Sequence, residues 1–243
     1  MIRPSYISEM NLGPGNIVLC FSGGIDSFVG LHYFDKSCSG IDRNVDVVYF
    51  NLGSRYTGKE LKYAKNIYPT LLVDDSLSWL GRFEIGDKAF VPYRNLLIAM
   101  FASVKYAPNV CICGVKDDVV EDKNEQVFQE WSEHLSKLGR QQIKVFSPFW
   151  GNTKNDIVYW YLNNGGSEQE ILKTVSCYNS KDTNYCGECY SCFRKWVALR
   201  NNGILLDFYN KEILNEYKKK CEDGLYDKDR NSVTLRVINE YIC

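Results

Sequence analysis

A short loop near the N-terminus, rich in glycine and hydroxyl groups, has residue types suited to chemistry. It directly follows the apolar run Ile17–Phe21 and precedes a segment with apolar residues at helical spacing. Two adjacent glycines let main-chain N–H groups turn toward a ligand, and the start of a helix adds partial positive charge. Serine hydroxyls add donors, and an aspartate can hold Mg²⁺ that a nucleotide carries. The loop predicts a cradle for the phosphates of ATP with Mg²⁺, built from Ser22, Gly23, Gly24, Ile25, Asp26 and Ser27. The alternative is an ordinary Ser/Gly turn that caps a helix.

Four closely spaced cysteines form a second group with the spacing of metal ligands. The first is followed, after eight residues, by a Cys-x2-Cys-x2-Cys run. Four thiolates suit tetrahedral Zn²⁺, and four protein ligands saturate the ion, so the predicted role is structural. The sequence predicts one zinc per chain, held by Cys177, Cys186, Cys189 and Cys192. An iron–sulfur cluster and a set of disulfides are the alternatives.

Composition limits the classes of protein that the chain can belong to. The 243 residues include 45% hydrophobic and 24% charged residues, which is enough to build a full core. Because the net charge is −1, we do not expect a nucleic-acid partner. Because no apolar run resembles a signal peptide or a membrane span, we expect a cytoplasmic protein without a membrane partner. Ten cysteines in a reducing compartment favour metal binding over disulfides.

The elements that must position these groups alternate along the chain. Short β-branched runs predict buried strands at Ile17–Phe21, Val45–Phe50, Thr70–Val73, Val110–Cys113 and Ile143–Phe146. Apolar residues at helical spacing predict helices at Ile25–Asp35, Gly58–Ile67, Tyr93–Tyr106, Glu125–Leu138, Asn152–Asn163, Ser167–Lys173 and Lys211–Lys220. The alternation predicts an α/β fold with a doubly wound parallel five-stranded sheet, which binds ligands beyond the carboxyl ends of its strands. We predict an ATP-binding domain at 1–150, a helical zinc region at 151–205 and a helical extension at 206–243.

The loop and the cysteine cluster, in this order, resemble the 7-cyano-7-deazaguanine synthase family. Smaller matches are Gly53-Ser54-Arg55 with Glu60-Leu61, the run Val91–Leu97, and Thr153-Lys154-Asn155-Asp156-Ile157. The resemblance implies an adenine-nucleotide α-hydrolase-like fold with a pyrophosphate loop. It also implies an enzyme that adenylates 7-carboxy-7-deazaguanine and converts it with ammonia to the nitrile. A homodimer is a further possibility for the assembly.

The resemblance also suggests roles for individual residues. Arg94, at the start of a predicted helix, is a candidate for phosphate or carboxylate contact, with a surface cation as the alternative. Lys154 lies in the first turn of a helix, where a cation is unfavourable, so it is a candidate to face phosphate. We predict that Ser22, Asp26, Arg94 and Lys154 act in catalysis, and that Arg55 joins the loop in nucleotide binding.

The stretch Val115–Glu125 departs from the family. The family carries aromatic, Pro, Cys and Arg residues there, whereas this chain carries Asp117, Asp118, Glu121 and Asp122. Such carboxylates near ATP repel it unless they turn outward, bind Mg²⁺ or receive an amine. The departure keeps two other functions open: a ligase that stops at the amide or uses another amine, and a non-catalytic nucleotide-binding zinc protein.

Overall fold

Five parallel strands form one sheet in the order β3-β2-β1-β4-β5. The computed structural model describes residue 7 and residues 15–38, 44–86, 90–178 and 182–242. The strands are β1 (Ile17–Cys20), β2 (Val45–Phe50), β3 (Leu72–Asp74), β4 (Asn109–Cys111) and β5 (Lys144–Phe146). The predicted α/β fold with a five-stranded parallel sheet is therefore confirmed.

Helices connect and cover these strands. They are α1 (Ile25–Ser37), α2 (Thr57–Ile67), α3 (Arg94–Lys105), α4 (Glu125–Gly139), α5 (Lys154–Asn163), α6 (Glu168–Leu172), α7 (Tyr190–Asn201), α8 (Lys211–Glu222) and α9 (Lys228–Ile242). A short 3-10 helix spans Leu80–Phe83. Among the described helices, none is long and apolar enough to cross a membrane.

The sheet is covered on both faces because successive side chains of a strand point to opposite sides. In β1, Ile17 and Leu19 pack into one hydrophobic cluster with residues of α1, α2 and α5. Val18 packs into the other cluster, with residues of α3 and α4. This two-sided burial explains why the strands are continuous apolar runs in the sequence.

Helices α3 and α5 do not begin at the residues that were predicted, and in each case a local feature of the chain explains the difference. α5 begins at Lys154, not at Asn152, because Thr153 is its N-cap and forms a capping box with Asp156. α3 begins at Arg94 because Tyr93 has φ of 59°, a left-handed conformation that lies outside a helix.

The C-terminal part of the chain contains two helices, α7 and α9, that were not predicted. Phe193 and Trp196 of α7 share one hydrophobic cluster with Ile213 of α8 and Ile238 of α9. Cys177 and Cys192 belong to the same cluster. The predicted zinc region and the predicted extension therefore share one core.

The strand order fixes where a ligand site forms. β1 pairs with β2 on one side and with β4 on the other. The chain runs from β1 outward to β3 and then crosses to β4, so the loops after β1 and β4 diverge. A crevice at this point is the usual ligand site of a doubly wound sheet.

Candidate active site

The glycine-rich loop lies at this crevice, between β1 and α1. Gly23 has φ of 76°, which favours glycine, and an added Cβ would approach Ala64 to 3.2 Å. The Ser22 and Ser27 hydroxyls are 3.3 Å apart, and the Ser27 hydroxyl donates to the Gly24 carbonyl at 3.1 Å. The loop is thus closely folded, with its hydroxyl groups and the start of α1 at the carboxyl end of the sheet.

Asp26, in the first turn of α1, is surrounded by lysines from two distant parts of the chain. Its carboxylate forms an ion pair with the Lys154 ammonium at the start of α5. The Lys123 ammonium lies 3.8 Å from its other oxygen. The structure therefore brings two predicted catalytic residues, Asp26 and Lys154, into direct contact.

The acidic stretch after β4 also faces cations. The Asp118 side chain, only 4% exposed, pairs with Arg194 at 2.8 Å and with Lys123 at 3.0 Å. Although burial disfavours ionisation, Lys123 and Arg194 hold the pKa of Asp118 well below its usual range. The same contacts with Asp118, and the nearby Asp26, raise the pKa of Lys123 against the effect of burial. Through Lys123 and Asp26, these charges are connected to the glycine-rich loop.

Asp117 makes different contacts from Asp118. Its carboxylate accepts the main-chain N–H of Lys154 at 2.9 Å, and so satisfies a free donor at the start of α5. Its carbonyl accepts hydrogen bonds from Arg194 at 3.3 Å and from Arg230 of α9 at 2.9 Å. Asp117 thus joins α5, α7 and α9 at one point.

Asn95 and Asp122 form a polar pair on the α3 side of the crevice. The Asn95 side-chain amide donates to both carboxylate oxygens of Asp122, at 3.2 Å each. The Arg94 guanidinium donates to the Asn95 side-chain oxygen at 3.4 Å. Arg94 is therefore positioned within the site, next to this pair, rather than on the outer surface.

Glu60 of α2 lines the same crevice opposite the loop. The Tyr49 hydroxyl donates to its carboxylate at 3.3 Å. Burial raises the pKa of Glu60 to about 7, and the nearby Arg94 only partly opposes the shift. The charge state of this carboxyl group therefore changes near neutral pH.

These groups surround one cavity of about 670 Å³. Its volume falls within the range of about 300–1,000 Å³ that is usual for small-molecule sites. Charged residues that line it are Asp26, Glu60, Arg94, Asp118, Asp122, Lys123, Lys154, Arg194 and Lys195. Ser22, Gly24, Ile25 and Ser27 of the loop line it too. The cavity therefore combines the phosphate loop with a cluster of both charge signs.

Arg55 lies elsewhere. Its guanidinium pairs with Glu84 at 2.8 Å, donates to the Gly86 carbonyl at 3.3 Å and lies 4.8 Å from the centre of the Tyr56 ring. It lines a separate depression with Lys59 and residues near it. The structure does not bring Arg55 together with the loop.

The four cysteines converge behind the site. Their sulfur atoms all lie within 4.8 Å of one another. Sulfurs bound to a tetrahedral zinc at about 2.3 Å are about 3.8 Å apart, and those of Cys186 and Cys192 are 3.9 Å apart. Gly187, with φ of 68°, allows the turn between Cys186 and Cys189. The cluster can therefore hold one metal ion in this geometry.

A connecting segment, Thr174–Cys177, joins the cysteine cluster to the phosphate loop. The Val175 N–H donates to the Gly23 carbonyl at 2.9 Å. Lys195 of α7, 1% exposed, donates to the carbonyl and the hydroxyl of Thr174 at 2.5 and 2.9 Å. Burial lowers the pKa of this lysine to about 7. The metal-binding region thus supports the loop directly.

Lys123, Arg194 and Lys195 line the site, although none of them was predicted to act in catalysis or in nucleotide binding. Each takes its role from contacts with residues far away in the sequence, such as Arg194 with Asp118. Glu60 belongs to the segment after β2 that resembles the family, and this resemblance was the signal that could have identified it as a site residue.

Comparison with known proteins places the chain among a defined set of relatives. The family model described as "Queuosine biosynthesis protein QueC" matches residues 82–203, a range that contains Arg94, Lys154 and the four cysteines. Proteins named 7-cyano-7-deazaguanine synthase are similar at low identity. The one from Pseudoalteromonas atlantica is 25% identical over 214 residues, which cover 76% of this chain and 94% of that protein. The one from Hahella chejuensis is 26% identical over 224 residues, which cover 80% of this chain and 93% of that protein.

Among solved structures, a predicted subunit of tRNA methyltransferase from Methanocaldococcus jannaschii is similar with a TM-score of 0.38 and 14% identity. The match covers 64% of this chain and 91% of that chain. A similarity at this level does not indicate a shared function.

Proposed function

Because the chain belongs to the family of the queuosine biosynthesis protein QueC, we propose that it is an ATP-dependent carbon–nitrogen ligase of the 7-cyano-7-deazaguanine synthase type. It activates the carboxylate of 7-carboxy-7-deazaguanine with ATP and converts it with ammonia to 7-cyano-7-deazaguanine. The observation that carries the proposal is the cavity, in which the phosphate loop, Lys154 and Arg94 face one another.

The reaction begins with a carboxylate, which is a poor electrophile. Its oxygen attacks the α-phosphorus of ATP, and pyrophosphate leaves. Ammonia then attacks the activated carbonyl carbon, AMP leaves, and an amide forms. The amide oxygen attacks the α-phosphorus of a second ATP, and pyrophosphate leaves again. Loss of AMP and of two protons from the nitrogen then gives the nitrile. Each activation therefore consumes one ATP.

The residues of the site support the departure of pyrophosphate. The Ser22 and Ser27 hydroxyls and the start of α1 offer donors to the phosphates. Lys154 and Lys123, which pair with Asp26 in this structure, supply positive charge to the same region. Mg²⁺ bound with ATP supplies further charge neutralisation, and the Asp26 carboxylate is the group that would hold it.

Zinc is the metal that we assign to the four-cysteine cluster, in a structural role. Four thiolates with sulfur separations near those of a tetrahedral site saturate the ion and leave no position for a substrate. The segment Thr174–Cys177 connects the cluster to the glycine-rich loop, because the Val175 N–H donates a hydrogen bond to the Gly23 carbonyl. Metal binding is therefore expected to support the loop rather than take part in the chemistry.

Incubation of the purified protein with ATP, Mg²⁺, ammonium and 7-carboxy-7-deazaguanine tests the proposal by mass spectrometry. A nitrile product with release of AMP is the expected result. Accumulation of the amide alone identifies a ligase that stops one step earlier. A product formed only when another primary amine replaces ammonium identifies a different amine donor. If ATP is not consumed under any of these conditions, the protein binds nucleotide without catalysis and the proposal is wrong.

A further inference from the structure

The four carboxylates of the stretch after β4 differ in how their charges are balanced. Asp117 caps α5 and lies 3.5 Å from Arg194, and Asp118 is paired with two cations. Glu121 is exposed and does not line the cavity. Asp122 lines the cavity, yet among the described residues no cation lies within ion-pair distance of it.

Asp122 is nevertheless held in one orientation. Asn95, which is buried, donates to both of its oxygens at 3.2 Å. An ionised carboxylate has about four lone-pair sites and accepts hydrogen bonds only. The Asn95 amide leaves each oxygen with acceptor capacity, so Asp122 can accept further hydrogen bonds from a ligand in the cavity.

The walls beside this pair are apolar. Ile98 lies one turn after Asn95 on α3, and Val120 lies two residues before Asp122; both line the cavity. An apolar wall with one oriented acceptor pair suits a flat heterocycle that presents two N–H donors at its edge. A 2-aminopyrimidinone ring has this edge, because its ring N–H and its exocyclic amino group lie side by side. Carboxylates accept hydrogen bonds from base edges in the same manner.

We propose that Asp122, oriented by Asn95, is a specificity-determining residue that binds the ring N–H and 2-amino group of the substrate. This inference rests on the proposed function, since it concerns the acid that the enzyme activates. It also predicts that the 2-amino group is required for tight binding, because without it one carboxylate oxygen loses its partner.

Steady-state kinetics on Asp122→Asn, with Glu121→Gln as the matched control, test the proposal. The KM for 7-carboxy-7-deazaguanine should rise about 10- to 100-fold in Asp122→Asn, since hydrogen bonds to a charged group are lost. The KM values for ATP and ammonium should remain within about twofold of wild type. The control should match wild type for all three ligands.

A second substrate sharpens the test. Wild type should discriminate at least about tenfold in kcat/KM against the same acid without its 2-amino group, and Asp122→Asn should lose most of this discrimination. Unchanged acid KM and unchanged discrimination in the variant overturn the proposal. A raised KM for Mg²⁺·ATP alone, or for ammonium alone, also overturns it, because Asp122 would then bind metal or amine. An inactive wild-type enzyme instead contradicts the proposed function, and direct binding of the two acids by calorimetry then decides the role of Asp122.

Discussion

Replacing Glu60 by glutamine should stabilise the folded protein at and above neutral pH. Burial raises the pKa of this carboxyl group from 4.5 to about 7. The folded chain therefore binds this proton more tightly than the unfolded chain between these two values. The unfolding free energy that Glu60 contributes falls as the pH rises through this window and stays low above it. Glutamine has a similar shape, can accept the Tyr49 hydrogen bond and carries no charge at any pH.

The size of the effect follows from the shift in pKa. The rise in pKa from 4.5 to about 7 corresponds to at most about 3–4 kcal/mol, at about 1.36 kcal/mol for each pKa unit. Because Glu60 lines a cavity that solvent can enter, we expect about half of this, or about 1–2 kcal/mol. Glu60→Gln should gain this amount relative to wild type at pH 8 and almost none at pH 4.5.

Urea unfolding of both proteins between pH 4.5 and pH 8.5, followed by circular dichroism, measures the difference. Titration of other groups affects both proteins equally and cancels. Glu121→Gln, at an exposed position of the acidic stretch, should show no pH-dependent difference. A gain that is equal at all pH values, or one that grows toward low pH, refutes the reasoning, since it means that the pKa of Glu60 is not raised in the folded protein.

Three other changes have expected outcomes. Asp26→Ala should lower AMP release at least about 100-fold with an unchanged near-ultraviolet spectrum, because the carboxylate faces the cavity rather than the core; near-wild-type turnover would exclude the loop assignment. Cys189→Ser should lower the zinc content below one ion per chain and lower the midpoint temperature of unfolding, since metal binding is coupled to local folding. Elemental analysis that finds iron in the wild type, or a wild type that is folded without metal, contradicts the zinc assignment. Arg230→Met should raise the KM for ATP severalfold, because it removes a hydrogen bond to Asp117, whose carboxylate caps the start of α5. Arg236→Met, on the same helix, is the control and should leave this KM unchanged. Equal effects of both variants would show that α9 acts only through general stability.

The sheet and the position of the glycine-rich loop were predictable because their signals are local. A strand buried on both faces is a continuous apolar run, and the Ser-Gly-Gly loop follows β1 directly. Helix α9 has Val233, Val237 and Tyr241 four residues apart, so its pattern was present but was hidden by a charged composition. α7 was missed because it begins inside the cysteine cluster, whose spacing indicated a metal knuckle rather than a helix.

The charge network of the site was not predictable from local patterns. Arg194 and Asp118 are 76 residues apart, and their contact exists only after α7 packs against the loop that follows β4. Arg55 shows the converse case. Its local resemblance suggested nucleotide binding, which stays a prediction; in this structure its guanidinium pairs with Glu84, the residue after the 3-10 helix. Sequence motifs show which side chains the chain offers, but the packing of distant segments determines which of these side chains come into contact.

The acidic stretch after β4 and the C-terminal extension, residues 206–243, are in contact. The acidic stretch after β4 is contacted by the C-terminal extension, through Arg230 to the Asp117 carbonyl and through Lys116 to Asp229 at 3.2 Å. Arg230 is 8% exposed and lies 3.7 Å from the centre of the Tyr226 ring, so its position is fixed by the extension itself. The Lys116–Asp229 ion pair is about half exposed and should contribute at most about 1 kcal/mol, so the buried Arg230 makes the stronger of the two contacts. The C-terminal extension therefore supplies contacts that hold the acidic stretch beside the cavity.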